Sequence, residues 1–291
     1  IPMFYNPEGN FFRTFARPEN YWEDLQALYP GVEHYRLNMM AMPDRAFNEP
    51  TLGLRDQAND HIAKLLLEQP QHVGSAFVMY SDDEQKIGDM VSRPGFRALK
   101  CYAYTGKQPT NPNIAIADFL PESAWVVANE KKLPIVLHLM RSSGLSDDEN
   151  FAYIMDKTKQ YPDAKLVLAH CARGFVSWTV VDQIRKLVDR DNIWFDMAAV
   201  CEVAPMMAAY MHSAGKRIVW GTDWPICLYR GRAVSIGMSQ QWITNNDPGA
   251  GYGLLAAESL LAFHQMASLM NLDQTQVNDI FYNNAVSLFF E

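Results

Sequence analysis

His138, His170 and Asp223 each close a short apolar run, in PIVLHL, LVLAH and VWGTD. Two imidazoles and a carboxylate brought to one place can bind a divalent metal that lowers the pKa of a bound water, or can act directly as acid and base. A lone histidine at a strand end is more often a hydrogen-bonded core residue, and an aspartate after Gly-Thr is commonly a loop or cap residue. Three such residues at three run ends favour chemistry, provided the fold aims those ends at one rim. Lys100, in FRALKCYAY, sits near another run end, where a desolvated amine can bind a carboxylate, although strand alternation alone leaves equal room for it to point outward. Arg141 and Arg173 each lie three residues beyond a histidine, in HLMR and HCAR. A guanidinium there can clamp a carboxylate through paired hydrogen bonds, while loop arginines are usually solvated. Trp224 follows the aspartate, and Tyr102 and Tyr104 follow the lysine, offering either an aromatic wall for a ring-shaped substrate or packing under a loop. Asp196 and Glu202 can reach the same rim, with nothing specific to mark them.

The elements that must carry these groups are legible as an alternation. Seven apolar runs rich in β-branched and aromatic residues recur: 35–42, 73–80, 96–104, 134–139, 164–171, 192–198 and 217–223. Their starts lie 23 to 38 residues apart, the length of a strand, a helix and two loops. Helical spacing fills the intervals at 54–69, DFLPESAWVVANEKK, FAYIMDKTKQY and FVSWTVVDQIRKLVD. After the seventh run the pattern predicts a long loop over 225–252 and helices over 254–270 and 273–290, the second capped by Asp273. Strands apolar on nearly every residue belong to a parallel sheet covered on both faces. No GxGxxG follows an early strand, so an open dinucleotide-binding sheet and an NAD-dependent enzyme are disfavoured. The expected fold is a single-domain α/β (β/α)8 TIM barrel over 1–291 with strand 1 short or missing, placed in IPMFY or just upstream of Ile1.

Composition narrows the class further. Of 291 residues 48% are hydrophobic and 20% charged, enough for a large core. Lys and Arg number 25 against 33 Asp and Glu, a net charge of −8 without a basic stretch, which argues against a nucleic-acid partner. No apolar stretch approaches the ~18 residues of a membrane span, and the first twenty residues lack a secretory layout. Cys101, Cys171, Cys201 and Cys227 are widely spread without a CxxC, as reduced thiols in a cytoplasmic protein would be.

PIVLHL, LVLAHCARGF and VWGTDWP, with FRALKCYAY before them and NDIFYNNAVSLF after, resemble the amidohydrolase-2 branch of the amidohydrolase superfamily over about residues 35–290. The resemblance implies a (β/α)8 barrel in which His138 and His170 match the histidines of strands five and six and Asp223 the aspartate of strand eight. It also implies a divalent metal, zinc first and manganese second, with His138, His170 and Asp223 as ligands. The sequence departs from the family at the front: members carry a His-x-His or Glu-x-His after strand one, and no His-x-His occurs here, IPMFYNPEGN resembling the loop that would follow it. Members acting as lactonases on pyrone dicarboxylates work without metal, so catalysis does not depend on that motif. The expected function is hydrolysis of a small carboxylated cyclic or aromatic compound such as a lactone. Asp223 would take a proton from water while His138 and His170 polarise the carbonyl under attack. Decarboxylation of an aromatic or related acid on the same residues is the alternative, and a non-catalytic carboxylate-binding or partner subunit is the alternative of another class. The 225–252 segment, with Met238, Trp242 and Tyr252, is a candidate lid or homo-oligomer interface.

Overall fold

Seven short strands run parallel and lie side by side in chain order: β1 (Asn38–Met40), β2 (Val73–Phe77), β3 (Phe96–Cys101), β4 (Pro134–Leu137), β5 (Lys165–Leu168), β6 (Ile193–Asp196) and β7 (Ile218–Val219). The computed structural model describes residues 21–48, 53–187, 189–244, 247 and 251–291. Every strand falls within one of the seven apolar runs. Helices fill the intervals as α1 (Tyr21–Leu28), α2 (Leu54–Glu68), α3 (Glu84–Val91), α4 (Glu122–Lys131), α5 (Asp148–Gln160), α6 (Val203–Ser213) and α7 (Leu255–Leu269). Parallel strands in sequential order with helices between them curl into the TIM barrel expected from the sequence. The run IPMFY, where the first strand was sought, lies outside the described residues.

Alternation of side chains decides what the barrel holds. Leu99, Cys101, Ile135, Leu137, Leu166, Leu168, Ile193, Phe195 and Ile218 pack outward into the large cluster shared with the helices. The residues between them, Val73, Ala98, Val136, Val167, Trp194 and Val219, form a second cluster with Leu288 and Phe289 of the last helical turn. That second cluster is the barrel's inner layer, plugged by the C-terminal helix. Lys100 stands two residues after Ala98, His138 two after Val136, Asp196 two after Trp194, and Asp223 four after Val219. All four therefore share the inward parity, one layer nearer the C-terminal ends of the strands.

Two stretches differ from the sequence expectation. FVSWTVVDQIRKLVD forms only a 3-10 turn (Ser177–Thr179) and one helical turn (Val181–Ile184). Its β-branched run Val176, Thr179, Val180 and Val181 loses side-chain freedom in a helix, and the chain enters it from a left-handed turn. The 225–252 segment is not a long loop: β8 (Gly231–Ile236) and β9 (Ser239–Thr244) pair antiparallel as a hairpin. Gly237 supplies the positive φ (61°) at the first turn position, where a two-residue hairpin turn takes glycine. At the C terminus Asp273 makes the expected N-cap, in a capping box with Gln276.

A buried ion pair pins the loop after β2. Arg55, 3% exposed, places Nη1 and Nη2 2.5 and 2.9 Å from the carboxylate of Asp82, 5% exposed, and Nη1 also donates to the Phe77 carbonyl. Asp82 in turn accepts from the Met79 amide at 2.7 Å. All four cysteines are buried and free. No helix among the described residues is long and apolar enough to cross a membrane.

Acid sensitivity is built in away from the barrel mouth. Burial lowers the pKa of His72, and burial together with Arg217 lowers that of His212, whose Nε2 has no partner. A lowered folded-state pKa means that the unfolded chain binds more protons below about pH 6.5. Stability is therefore lost as pH falls from there toward the folded-state values. His212 is only half-buried, so its share of the loss is shallow. The melting temperature is expected to drop by a few degrees between pH 7.5 and 5.5, and His212→Gln to flatten that drop; a variant with the wild-type profile would remove His212 as a cause.

Candidate active site

The three strand-end groups come together. His138 and His170 meet edge to face with ring centroids 5.1 Å apart, and Nε2 of His170 lies 3.9 Å from Oδ2 of Asp223. His170 is fixed by its surroundings: Nδ1 is 2.9 Å from the Ala198 carbonyl, which can only accept, so the ring carries its proton there and presents Nε2 to Asp223. Asp223 is the open member of the group at 32% side-chain exposure, while His138 and His170 are buried at 8% and 6%.

The backbone that aims His170 is strained. His170, Cys171, Ala172 and Arg173 have φ of 54°, 49°, 58° and 64°, four non-glycine residues in a left-handed turn. Such residues cost about 1–2 kcal/mol each. Asp196 is the group that holds the turn. Its Oδ2 accepts from the His170 amide at 3.2 Å and its Oδ1 from the Ala198 amide at 3.1 Å, so one carboxylate fastens both the backbone of His170 and the residue that orients its ring. Burial pushes the Asp196 carboxyl above the usual range, with His170 opposing. Gly221 faces it: a Cβ there would fall well inside van der Waals distance of Oδ1. Gly221→Ala is accordingly expected to displace Asp196 and to lower both the melting temperature and any activity, with Asp196→Asn acting in the same direction. A Gly221→Ala protein with wild-type activity would show that the carboxylate does not position His170.

Lys100 is inside the barrel, 6% exposed, its Nζ 5.7 Å from the centroid of the Tyr102 ring and unpaired with any carboxylate among the described residues. Burial lowers its pKa, opposed by nearby Asp223 and Asp196. Tyr102 lies over His138 at 4.6 Å, and burial raises its phenol above the usual range. Arg173 turns back over the Leu139 carbonyl (Nη1 to O 3.4 Å) with its guanidinium carbon 5.7 Å from the Phe175 ring centroid, and its buried Nε has no partner. Burial lowers its pKa too. His138, surrounded by His170, Lys100 and Arg173 and deeply buried, is held well below its usual pKa and is neutral, with Nδ1 unpartnered.

Three residues named from the sequence are occupied elsewhere. Arg141 binds Asp147 and Glu149 at 2.9 and 2.5 Å and the Asn113 carbonyl at 3.1 Å, which anchors the loop after β4 and leaves little of the guanidinium for a ligand. Trp224 donates from Nε1 to Asp24 at 3.1 Å and meets the Tyr21 ring at 5.1 Å, so it docks α1 against the strand-end loop. Glu202 accepts from the amide of Ser177 at 2.7 Å and from its hydroxyl, tying the following loop rather than the histidines.

From the sequence Asp196 is a rim residue without a specific mark, and Phe175 is not singled out. Asp196 ends IWFD two residues after inward Trp194, the same parity that places Lys100, and that was the available signal. Phe175 stacks on His170 at 5.1 Å, a contact that depends on the left-handed turn and has no signature in residue types.

The donor set was tested for a metal. A catalytic zinc takes three protein ligands. Among the described residues no group of three or more His, Cys, Asp or Glu is arranged to hold an ion, and the sequence supplies no His-x-His. The described residues alone do not fit the metal that the resemblance implies.

A family model described as Amidohydrolase matches residues 15–290. No curated protein matches the chain in sequence. Solved structures are similar across nearly its whole length. A 2,6-dihydroxybenzoate decarboxylase from Rhizobium is 15% identical with a TM-score of 0.56, over 94% of this chain and 93% of that one. For 5-carboxyvanillate decarboxylase from Sphingomonas paucimobilis the identity is 13%, the TM-score 0.59 and the coverage 96% and 84%. For a probable 2-pyrone-4,6-dicarboxylic acid hydrolase from Acinetobacter baumannii, with citric acid bound, they are 11%, 0.56, and 95% and 90%. At these identities the likeness establishes the fold. The chain belongs to the amidohydrolase family, whose members are enzymes and typically depend on a metal.

Proposed function

We propose that the chain hydrolyses a small carboxylated cyclic or aromatic compound, a lactone being the simplest case. What carries the reading is the pairing of buried Lys100 with half-buried Arg173, neither matched by a carboxylate among the described residues, with an acid and base at the same strand ends. Buried charge without a partner is costly, and an anionic ligand supplies the missing partner. A substrate carboxylate would lie against Lys100 and Arg173. Between His170 Nε2 and Asp223 Oδ2, 3.9 Å apart, two acceptors face each other, and a water donating to both relieves that conflict. Asp223 takes the proton as that water attacks the ring carbonyl, His170 holds the water's second hydrogen in place, and protonated Asp223 returns its proton to the ring oxygen as the carbonyl re-forms and the ring C–O bond breaks. Neutral His138 donates to the developing oxyanion. No step is routed through a metal. Zinc or manganese bound to His138, His170 and Asp223 would need further donors from beyond the described residues.

Decarboxylation on the same residues is the second reading, with Asp223 or His170 delivering a proton to the ring carbon as CO2 leaves. The named activities of the similar structures span both reactions. Incubation with 2-pyrone-4,6-dicarboxylate and with 2,6-dihydroxybenzoate, followed by mass spectrometry of the products, separates them. Ring opening supports the first, loss of 44 mass units (one CO2) the second, and inertness toward these and other carboxylated rings contradicts both. Elemental mass spectrometry is the companion measurement: stoichiometric zinc or manganese lost on Asp223→Ala would replace the side-chain mechanism.

A further inference from the structure

Beyond the inner barrel, the aromatic contacts do not stop at His170. Phe175 stacks on His170 and lies under the Arg173 guanidinium, and on its other side it meets Trp242 of β9 at 5.3 Å. Trp242 also meets Tyr229, at 5.9 Å. Among the described residues the hairpin that carries Trp242 forms a sheet of its own, separate from the seven parallel strands. Its root is tied to the barrel mouth by Arg232, which donates to the Cys201 carbonyl at 2.6 Å and pairs with Glu258 at 3.6 Å. Trp242 packs against Phe175 and Tyr229 yet stays 36% exposed, so part of a large aromatic side chain faces solvent two ring contacts from His170, beside the Phe175 ring that Arg173 covers.

We propose that Trp242, backed by Phe175 and carried by the β8–β9 hairpin, is the specificity-determining wall of the site and selects flat, ring-shaped carboxylates over linear ones. The inference rests on the carboxylate-binding reading above and adds the half of the ligand that reading leaves open. Lys100 and Arg173 take the anionic group at the inner end, and the indole takes the ring at the outer end. An aromatic pair adds affinity for a ring beyond its buried area, and a rigid two-torsion side chain such as Trp loses little freedom in doing so. An aliphatic diacid of the same charge gains none of this.

The test uses two probes that share charge and carboxylate spacing, benzene-1,3-dicarboxylate and pentanedioate, titrated calorimetrically into the wild type, Trp242→Ala, Trp242→Phe and Arg173→Met. The wild type is expected to bind the aromatic probe at least about tenfold more tightly, as expected for a ring–ring contact in a desolvated site. Trp242→Ala should remove that preference and leave pentanedioate within about twofold, Trp242→Phe should keep most of it, and Arg173→Met should weaken both probes alike. Because Trp242 is surface-exposed and the Phe variant controls for the hairpin's fold, misfolding cannot imitate this pattern. Equal weakening of both probes by Trp242→Ala, or no preference in the wild type, overturns the wall while leaving carboxylate binding intact. Failure of both probes to bind the wild type overturns the carboxylate reading and the wall with it.

Discussion

Asp223→Asn is expected to lower kcat by about 10²–10⁴-fold on whichever carboxylated ring the protein turns over, with KM changed by less than about threefold. Asparagine keeps the shape and the polar contacts of Asp223 but cannot take a proton. Removal of a base that acts only in the transition state lowers kcat and kcat/KM together. Asp223 is also the open member of the His138–His170–Asp223 group, so the exchange leaves no charge stranded in the core. Steady-state kinetics on the variant checks this. A KM effect without a kcat effect would move Asp223 from proton transfer to ligand binding.

Asp82→Ala is expected to destabilise the fold by about 3 kcal/mol, because it leaves both Nη groups of the buried Arg55 guanidinium without a carboxylate, only exposed Asp56 remaining on Nε at 2.7 Å. Urea unfolding measures the change. The paired replacement Arg55→Met with Asp82→Leu removes both charges and should recover most of the loss, since a buried ion pair exchanged for apolar groups is often neutral. By contrast Lys64→Ala, which breaks a pair with Glu68 between side chains 75% and 56% exposed, should change stability by less than about 0.5 kcal/mol. If Asp82→Ala were as mild as Lys64→Ala, the loop from Met79 to Asp82 would owe its position to backbone contacts alone.

Strand positions were legible because a parallel sheet covered on both faces demands continuous apolar runs, and Val73–Phe77 or Pro134–Leu137 cannot be much else in a chain of this pattern. The rim residues were legible for the same reason: a polar residue ending such a run has few places to go but the mouth. Whether Lys100 points inward was open from its own segment and is decided by parity across neighbouring strands, once Ala98 and Val136 are seen to share the inner layer. The hairpin carried a signal, alternation around Gly237, that the surrounding polar residues Ser235, Ser239, Gln240 and Gln241 diluted. What had no local signature is the left-handed turn at His170–Arg173. It exists because Asp196, 26 residues later in the chain, accepts the His170 amide, and no propensity of His, Cys, Ala or Arg foretells it. Phe175 against His170 and the capture of Arg141 by Asp147 and Glu149 follow from such tertiary choices, which is why an aromatic wall was sought at Trp224 and a clamp at Arg141.

In the proposed function Lys100 and Arg173, set around neutral His138, receive a substrate carboxylate, and every proposed step depends on that. Calorimetric titration of benzene-1,3-dicarboxylate and of its dimethyl ester into the wild type, Lys100→Met and Arg173→Met is the most direct measurement. The account predicts that the diacid binds, the ester does not, and each variant weakens the diacid at least about tenfold, the effect of a lost hydrogen bond to a charged group. Binding of the ester as tightly as the acid, or of the acid as tightly by either variant, would contradict it.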